Sequence, residues 1–316
     1  MIRTESLTKR YGSVTAVNKL DLTVEAGTVF GFIGPNGAGK STTMQILATL
    51  VVPDEGRAWV GGWDVVKDGD EVRRIIGYMP DFFGVYDNLT AIEYLEFYAS
   101  CYGIRRDLRR KIGLDLLELV GLSHKRDDEV DKLSRGMKQR LGLARSLIHD
   151  PALLILDEPA SGLDPRARVE FREVLKELRK MGKTIMISSH ILPELAGFCD
   201  CIGMMENGKM VAFGNVDEMT RRTQTGRIIE IRVREKAEEA EELLGRMKPV
   251  QSVHREDRLL TVLVDGDEAV QEEILRELLH SNIPVTGFTE TKEDIEDVFL
   301  RVTGEKEGSE ADETAD

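Results

Sequence analysis

The sequence predicts an α/β fold, in which buried strands alternate with helices, followed by a smaller α+β unit. Three stretches carry this reading. Thr28-Val29-Phe30-Gly31-Phe32-Ile33 is an apolar, β-rich run that leads into the glycine-rich loop Gly34-Pro35-Asn36-Gly37-Ala38-Gly39-Lys40-Ser41-Thr42. Leu153-Leu154-Ile155-Leu156 is a second apolar run and ends in Asp157-Glu158. Lys183 to Ser189 is a third and ends in His190. Open α/β sheets carry their chemistry at the C-terminal edges of such strands.

The loop from Gly34 to Thr42 fits the pattern G-x-x-x-x-G-K-[ST]. It lies between a strand and a helix whose apolar positions, Met44, Leu47 and Ala48, have helical spacing. The match alone arises in about one random chain of this length in a hundred. Glycines let backbone N–H groups wrap an anion, and a helix start adds free donors and the positive end of its dipole. On this pattern Lys40 reaches β- and γ-phosphates and the Ser41 hydroxyl sits on Mg²⁺. Asp157 is then placed to hold Mg²⁺ and Glu158 to orient or deprotonate a water.

Taken in order, residues 2–8 and 20–24 read as short antiparallel strands, with Tyr11-Gly12 as a turn between them. The Tyr11 ring suits stacking on a purine base as well as packing its own turn. After the first helix, Val51 to Gly56 is a turn, Arg57–Gly61 a strand, Asp68–Arg74 a short helix and Ile75–Met79 a strand stopped by Pro80. Asp81 to Tyr86 is an unusually apolar loop, the kind of surface that often meets a partner. Thr90-Ala91-Ile92-Glu93 is a capping box opening a helix to about Tyr102, and a second helix runs from Asp107 to a stop at Gly121. Ser134 caps a helix that reaches about Ile148, with Gly136 in its first turn. Residues 90–150 hold no strand pattern and read as a helical insertion. Leu163-Asp164-Pro165 starts a helix with Phe171, Val174, Leu175 and Leu178 on one face, and Glu206-Asn207-Gly208-Lys209 closes a hairpin.

The chain has 316 residues and a formal net charge of −14, which disfavours broad nucleic-acid binding, so no nucleic-acid partner is expected. No run of apolar residues is long enough to span a bilayer, and the N-terminus lacks a signal-peptide core, so work at a membrane is expected to go through a partner. Cys101, Cys199 and Cys201 are an odd set without C-x-x-C spacing, arguing against a disulfide framework; Cys199-Asp200-Cys201 reads as a helix-to-strand junction rather than a ligand pair.

Together these residues resemble the ATP-binding subunit of an ABC transporter. Gly34 to Thr42 is similar to the Walker A loop and Leu153 to Glu158 to the Walker B strand with its catalytic glutamate. Leu133-Ser134-Arg135-Gly136-Met137 resembles the signature loop, Ser161-Gly162-Leu163-Asp164 the D-loop, His190 the switch histidine and Tyr11 the A-loop aromatic. The resemblance implies a P-loop NTPase of the ABC type over residues 1–222, with an antiparallel β subdomain and a helical subdomain at about 82–150. It implies Glu158, His190 and Lys40 as catalytic groups. Tyr11, Gly34, Pro35, Asn36, Gly37, Ala38, Gly39, Lys40, Ser41 and Thr42 would bind ATP, with Ser134 and Gly136 of a second copy or a similar chain meeting its γ-phosphate. Ser41, Asp157 and Asp81 would serve Mg²⁺. A polytopic permease is the implied membrane partner and the cytoplasmic membrane face the implied location. Two departures stand out. Arg135 and Met137 replace the consensus Gly and Gln of the signature, and Asp81 stands where the Q-loop glutamine is usual. Asp is shorter, anionic and has no amide donor.

Residues 227–304 read as strand, helix, strand, strand, helix, strand: 227–234, 236–247, 250–255, 258–264, 267–280 and 283–288, then a last helix at 295–302. This order suggests a ferredoxin-like plait. It resembles the accessory C-terminal domain of drug-resistance and polysaccharide ABC exporters, including Ile295-Glu296-Asp297-Val298-Phe299-Leu300. Glu305 to Asp316 is acidic enough to read as disordered. A soluble ABC-type ATPase acting on ribosomes or DNA is the alternative; it usually carries a second such domain or a long coiled coil, neither of which the sequence shows. A non-hydrolysing regulator is disfavoured by Glu158 and His190.

Overall fold

β1 (Ile2–Tyr11) and β2 (Val14–Val24) form one long hairpin, with Tyr11 opposite Val14 and Ile2 opposite Val24. Both strands outrun the sequence expectation, and the turn is Gly12-Ser13 rather than Tyr11-Gly12. The reason is physical. Ser6 and Lys19 take positive φ (45° and 49°), and the register shifts between Thr4 and Leu7 and again between Leu7 and Lys9. A bulge inverts the side-chain alternation, so Leu7 and Thr8 are both buried although adjacent. A strict period of two therefore loses each strand at its bulge.

This computed structural model describes residues 1–82, 84, 88–191, 195, 197–215, 227–264 and 268–291. It divides into two compact units, Met1–Gly214 and Asn215–Asp316. In the first, β3 (Val29–Ile33) is buried at every position and runs through the glycine loop into α1 (Lys40–Leu47). β4 (Glu55–Val60) pairs antiparallel with β1, and β5 (Trp63–Asp64) pairs antiparallel with β4, giving a four-stranded sheet ordered β2-β1-β4-β5. α2 (Gly69–Ile75) and β6 (Ile76–Met79) follow.

The helical insertion holds α3 (Ala91–Cys101), α4 (Arg106–Leu119) and α5 (Arg135–Ser146), with short 3₁₀ turns at Ser123–Lys125 and Val130–Lys132. The capping box is made in full. Thr90 Oγ1 accepts from the Glu93 amide, and Glu93 accepts from the Thr90 amide. Of the apolar loop, Phe82 is 81% exposed, whereas Phe83, Val85 and Tyr86 lie outside the described residues.

β7 (Leu153–Leu156), α6 (Pro165–Lys180), β8 (Thr184–Ser189), β9 (Cys201–Glu206) and β10 (Lys209–Asn215) complete the unit. The central sheet is ordered β10-β9-β3-β8-β7-β6, and β6, β7, β8, β3 and β9 are parallel. β8 therefore lies between β7 and β3. Their C-terminal ends, which lead into Asp157-Glu158, His190 and the glycine loop, stand side by side. α6 starts at the Asp164 cap with Pro165 in its first turn and buries Phe171, Val174, Leu175 and Leu178. Each such side chain contributes about 1.5–3 kcal/mol by leaving water. Cys199 packs against Gly31, and burial pushes its thiol pKa up, which suits a packed junction and not a ligand.

In the second unit, β11 (Arg227–Val233), α7 (Ala237–Gly245), β12 (Val250–Glu256), β13 (Leu259–Val264), α8 (Glu268–His280) and β14 (Val285–Thr291) form a βαββαβ plait. The antiparallel sheet is ordered β12-β13-β11-β14. Alternation puts Ile229, Ile231 and Val233 beside Leu260, Val262 and Val264, under Ala240, Leu244, Ile274 and Leu278. The helix expected at 295–302 and the acidic tail lie outside the described residues.

Candidate functional site

The glycine loop closes on Gly39, which caps α1 at φ 107° with no side chain to offer. A Cβ there would run into the Ala16 carbonyl and the Met205 methyl, so only glycine fits. Behind it, Thr43 donates from its amide and its hydroxyl to the Gly39 carbonyl, at 2.9 and 3.0 Å. The Lys40 side chain is 5% exposed and folds back over the loop. Its Nζ donates to the carbonyls of Gly34 (2.5 Å) and Pro35 (3.3 Å) and stands 3.4 Å from Glu158 Oε1. A buried ammonium held by two carbonyls and one carboxylate occupies the mouth of an anion cradle.

On the next strands, Asp157 is buried and its amide donates to the Met79 carbonyl. Ser188 joins the two acids: its Oγ donates to Asp157 Oδ1 at 2.7 Å and accepts from the Glu158 amide at 2.8 Å. Glu158 is held at φ 46°, a left-handed conformation unusual for this residue. One of its oxygens, Oε1, is buried, accepts no hydrogen bond and faces Lys40; the other, Oε2, is 3.0 Å from His190 Nδ1. An ionised carboxylate only accepts, so the Nδ1 proton is the one donated. His190 itself is 45% exposed. The fold thus brings Lys40, Glu158 and His190 into one cluster. The sequence reading missed Ser188. Its only trace there is a polar pair, Ser188-Ser189, at the end of an otherwise apolar strand.

Asp81 lies just past β6, and its Oδ1 is buried without a hydrogen-bond partner. Burial, and then the charges of Asp157 and Glu158, push its pKa up, while the Arg135 charge works the other way. Tyr78 is driven up to about 12 by burial and by Asp157. Because the folded-state pKa of Asp81 is raised, its contribution to stability is present at low pH and lost as pH rises through that folded value. At pH 7 Asp81→Asn should therefore raise the melting temperature. Solvent screens this half-buried group, so the gain is about 1–3 °C. Thermal scans at pH 7 and pH 4 check it: the gain should shrink at pH 4.

Ser134 caps α5 and accepts from the Met137 amide at 3.3 Å. Gly136 packs against Ala167 and Leu163, at the start of α6. Ser134 and Gly136 thus face Met137 and the Leu163 and Ala167 side chains of their own chain. Tyr11 is 48% exposed, with Lys9 Nζ 5.5 Å from its ring centroid. Ser41, the second residue of α1, is exposed.

Comparison with known proteins identifies the family. Residues 17–161 match the ABC transporter family, and residues 214–303 match the C-terminal domain of DrrA1-3-like ATP-binding proteins. The linearmycin resistance ATP-binding protein LnrL of Bacillus subtilis is 33% identical over 307 residues, covering 96% of this chain and 98% of that one. The daunorubicin/doxorubicin resistance ATP-binding protein DrrA of Streptomyces peucetius is 35% identical over 306 residues, covering 96% and 92%. Among solved structures, a dimeric ATP-binding cassette in a post-hydrolysis state with ADP and Pi superposes with TM-score 0.62 at 27% identity, covering 68% of this chain and 99% of that one. The chain belongs to the ABC transporter family, as an ATP-binding subunit that binds and hydrolyses ATP. Among the described residues no helix is long and apolar enough to cross a membrane.

Proposed function

We propose that this subunit powers export through a separate polytopic permease, working at the cytoplasmic membrane face as a head-to-tail pair with a second copy or a similar ATPase chain. The observation that carries the reading is the cluster of Lys40, Glu158 and His190 at the mouth of the glycine loop. Lys40 leaves the Gly34 and Pro35 carbonyls for the β- and γ-phosphates of ATP, a charge-assisted exchange of partners. Its departure frees Glu158 Oε1, the buried oxygen without a hydrogen bond, to accept from an attacking water. His190 holds Oε2 and so fixes the carboxylate plane. Tyr11 stacks on the base, and Ser134 and Gly136 of the opposite chain meet the γ-phosphate. Asp81 Oδ1, buried without a partner, and the all-oxygen set of Ser41, Asp157 and Asp81 fit Mg²⁺. When bound, Mg²⁺ neutralises phosphate charge. The drug-resistance names of the relatives, and a C-terminal plait of the kind they share, favour export.

The test is capture from native membranes with tagged Glu158→Gln in Mg-ATP. A polytopic membrane protein should co-purify, and exchanging Phe82 for Asp should lose it. Ribosomal proteins or DNA without a membrane partner would contradict the proposal.

A further inference from the structure

Arg135 takes the signature position where glycine is usual, and its side chain lies across the D-loop of its own chain. The guanidinium rests on Gly162. A Cβ built on Gly162 would fall on its Cζ and both terminal nitrogens. Gly162 has φ 67°, which favours glycine, and a side chain there would also push the guanidinium off its place. One residue along, Gly136 presses on Ala167, where an added Cβ would meet the Ala167 methyl at 3.1 Å, and on Leu163. The first turn of α5 therefore grips the segment from Gly162 to Ala167 through two adjacent residues.

That segment is the continuation of the Glu158 turn. The Ser161 amide donates to the Glu158 carbonyl at 3.0 Å and the Leu163 amide to the Ala160 carbonyl at 3.2 Å, and Asp164 caps α6. Glu158 sits at the start of this turn with positive φ, a conformation that persists only where its surroundings hold it. Ser188 fixes the amide end of the turn. Gly162, with no side chain, has nothing of its own to fix the far end, and Arg135 covers it. The charge of Arg135 also acts on Asp81, against the upward push of Asp157 and Glu158.

We propose that Arg135 is a positioning residue for hydrolysis: packed on Gly162, it fixes the far end of the turn that carries Glu158 and so ties the signature loop to the hydrolytic carboxylate of the same chain. This rests on the reading of Glu158 as the water-orienting group. It makes Arg135 and Gly162 a packed pair, in which the missing side chain of the glycine leaves room for the guanidinium.

The test is steady-state ATPase kinetics of the full-length chain with Arg135→Ala, Arg135→Lys, Gly162→Ala and the double variant Arg135→Ala/Gly162→Ala, beside Glu158→Gln. Arg135→Ala should lower kcat about tenfold, as a small misplacement of a catalytic group does, with KM for ATP within about twofold. Lysine, without the flat guanidinium, should restore little. Gly162→Ala should lose as much as Arg135→Ala, and the double variant no more than the worse single one. Melting temperatures and binding of a fluorescent ATP analogue should stay at wild-type values in Arg135→Ala, which separates positioning from unfolding. Turnover within twofold of wild type in Arg135→Ala, or fully additive losses in the double variant, would overturn the pairing. A Glu158→Gln variant with full turnover would instead remove the Glu158 reading, and with it the route by which Arg135 acts.

Discussion

Glu158→Gln should hydrolyse ATP about 10²–10³-fold more slowly than wild type, while its affinity for ATP stays within a few-fold. The substitution keeps the shape of the side chain and removes the acceptor-only oxygens. Two contacts change with it. Oε1 faces Lys40 at 3.4 Å and Oε2 faces His190 Nδ1 at 3.0 Å, and both meet a carboxylate. An amide can place its oxygen on only one of them. Lys40 keeps the Gly34 and Pro35 carbonyls, so the loop should hold its form. Phosphate release under saturating ATP gives the rate and equilibrium titration with a fluorescent analogue gives the affinity. Unchanged turnover would take Glu158 out of the reaction.

Lys40→Ala should weaken ATP binding at least about 100-fold, because it removes the one buried ammonium of the cradle along with its charge-assisted hydrogen bonds to phosphate. The same change leaves Glu158 Oε1, on a side chain 13% exposed, without its cation. Melting temperature must therefore be followed beside the nucleotide titration. A folded variant that no longer binds is the expected result; a folded variant with wild-type affinity would contradict the role of the loop.

Much of this site was legible because its parts are contiguous in the chain. The glycine loop lies within nine residues, and the acids and the histidine each end an apolar run that a buried parallel strand requires. The plait of the second unit was legible for a similar reason: Ile229, Ile231 and Val233 keep period two against Leu260, Val262 and Val264. What escaped was set by tertiary contact or by irregular backbone. The register shifts from Leu7 to Arg10 and the irregularity at Lys19 broke the alternation of β1 and β2, so both strands looked short. Ser188 looked like one more strand residue until the fold set it between Asp157 and the Glu158 amide. Arg135 looked like a departure from a consensus. Its meaning depends on Gly162, 27 positions away along the chain and directly beneath its guanidinium in the fold.

In the proposed pair two chains share each hydrolytic site, with Ser134 and Gly136 completing the cradle built around Lys40 in the partner. The most direct measurement is the mass of the 35.4 kDa Glu158→Gln chain by light scattering, with and without Mg-ATP. A shared site predicts a monomer without nucleotide, a particle of twice that mass with Mg-ATP, and a monomer again when Ser134→Arg is added, although the Ser134→Arg chain still binds ATP. A Glu158→Gln chain that is saturated with Mg-ATP and remains monomeric, or a dimer indifferent to Ser134→Arg, would contradict it.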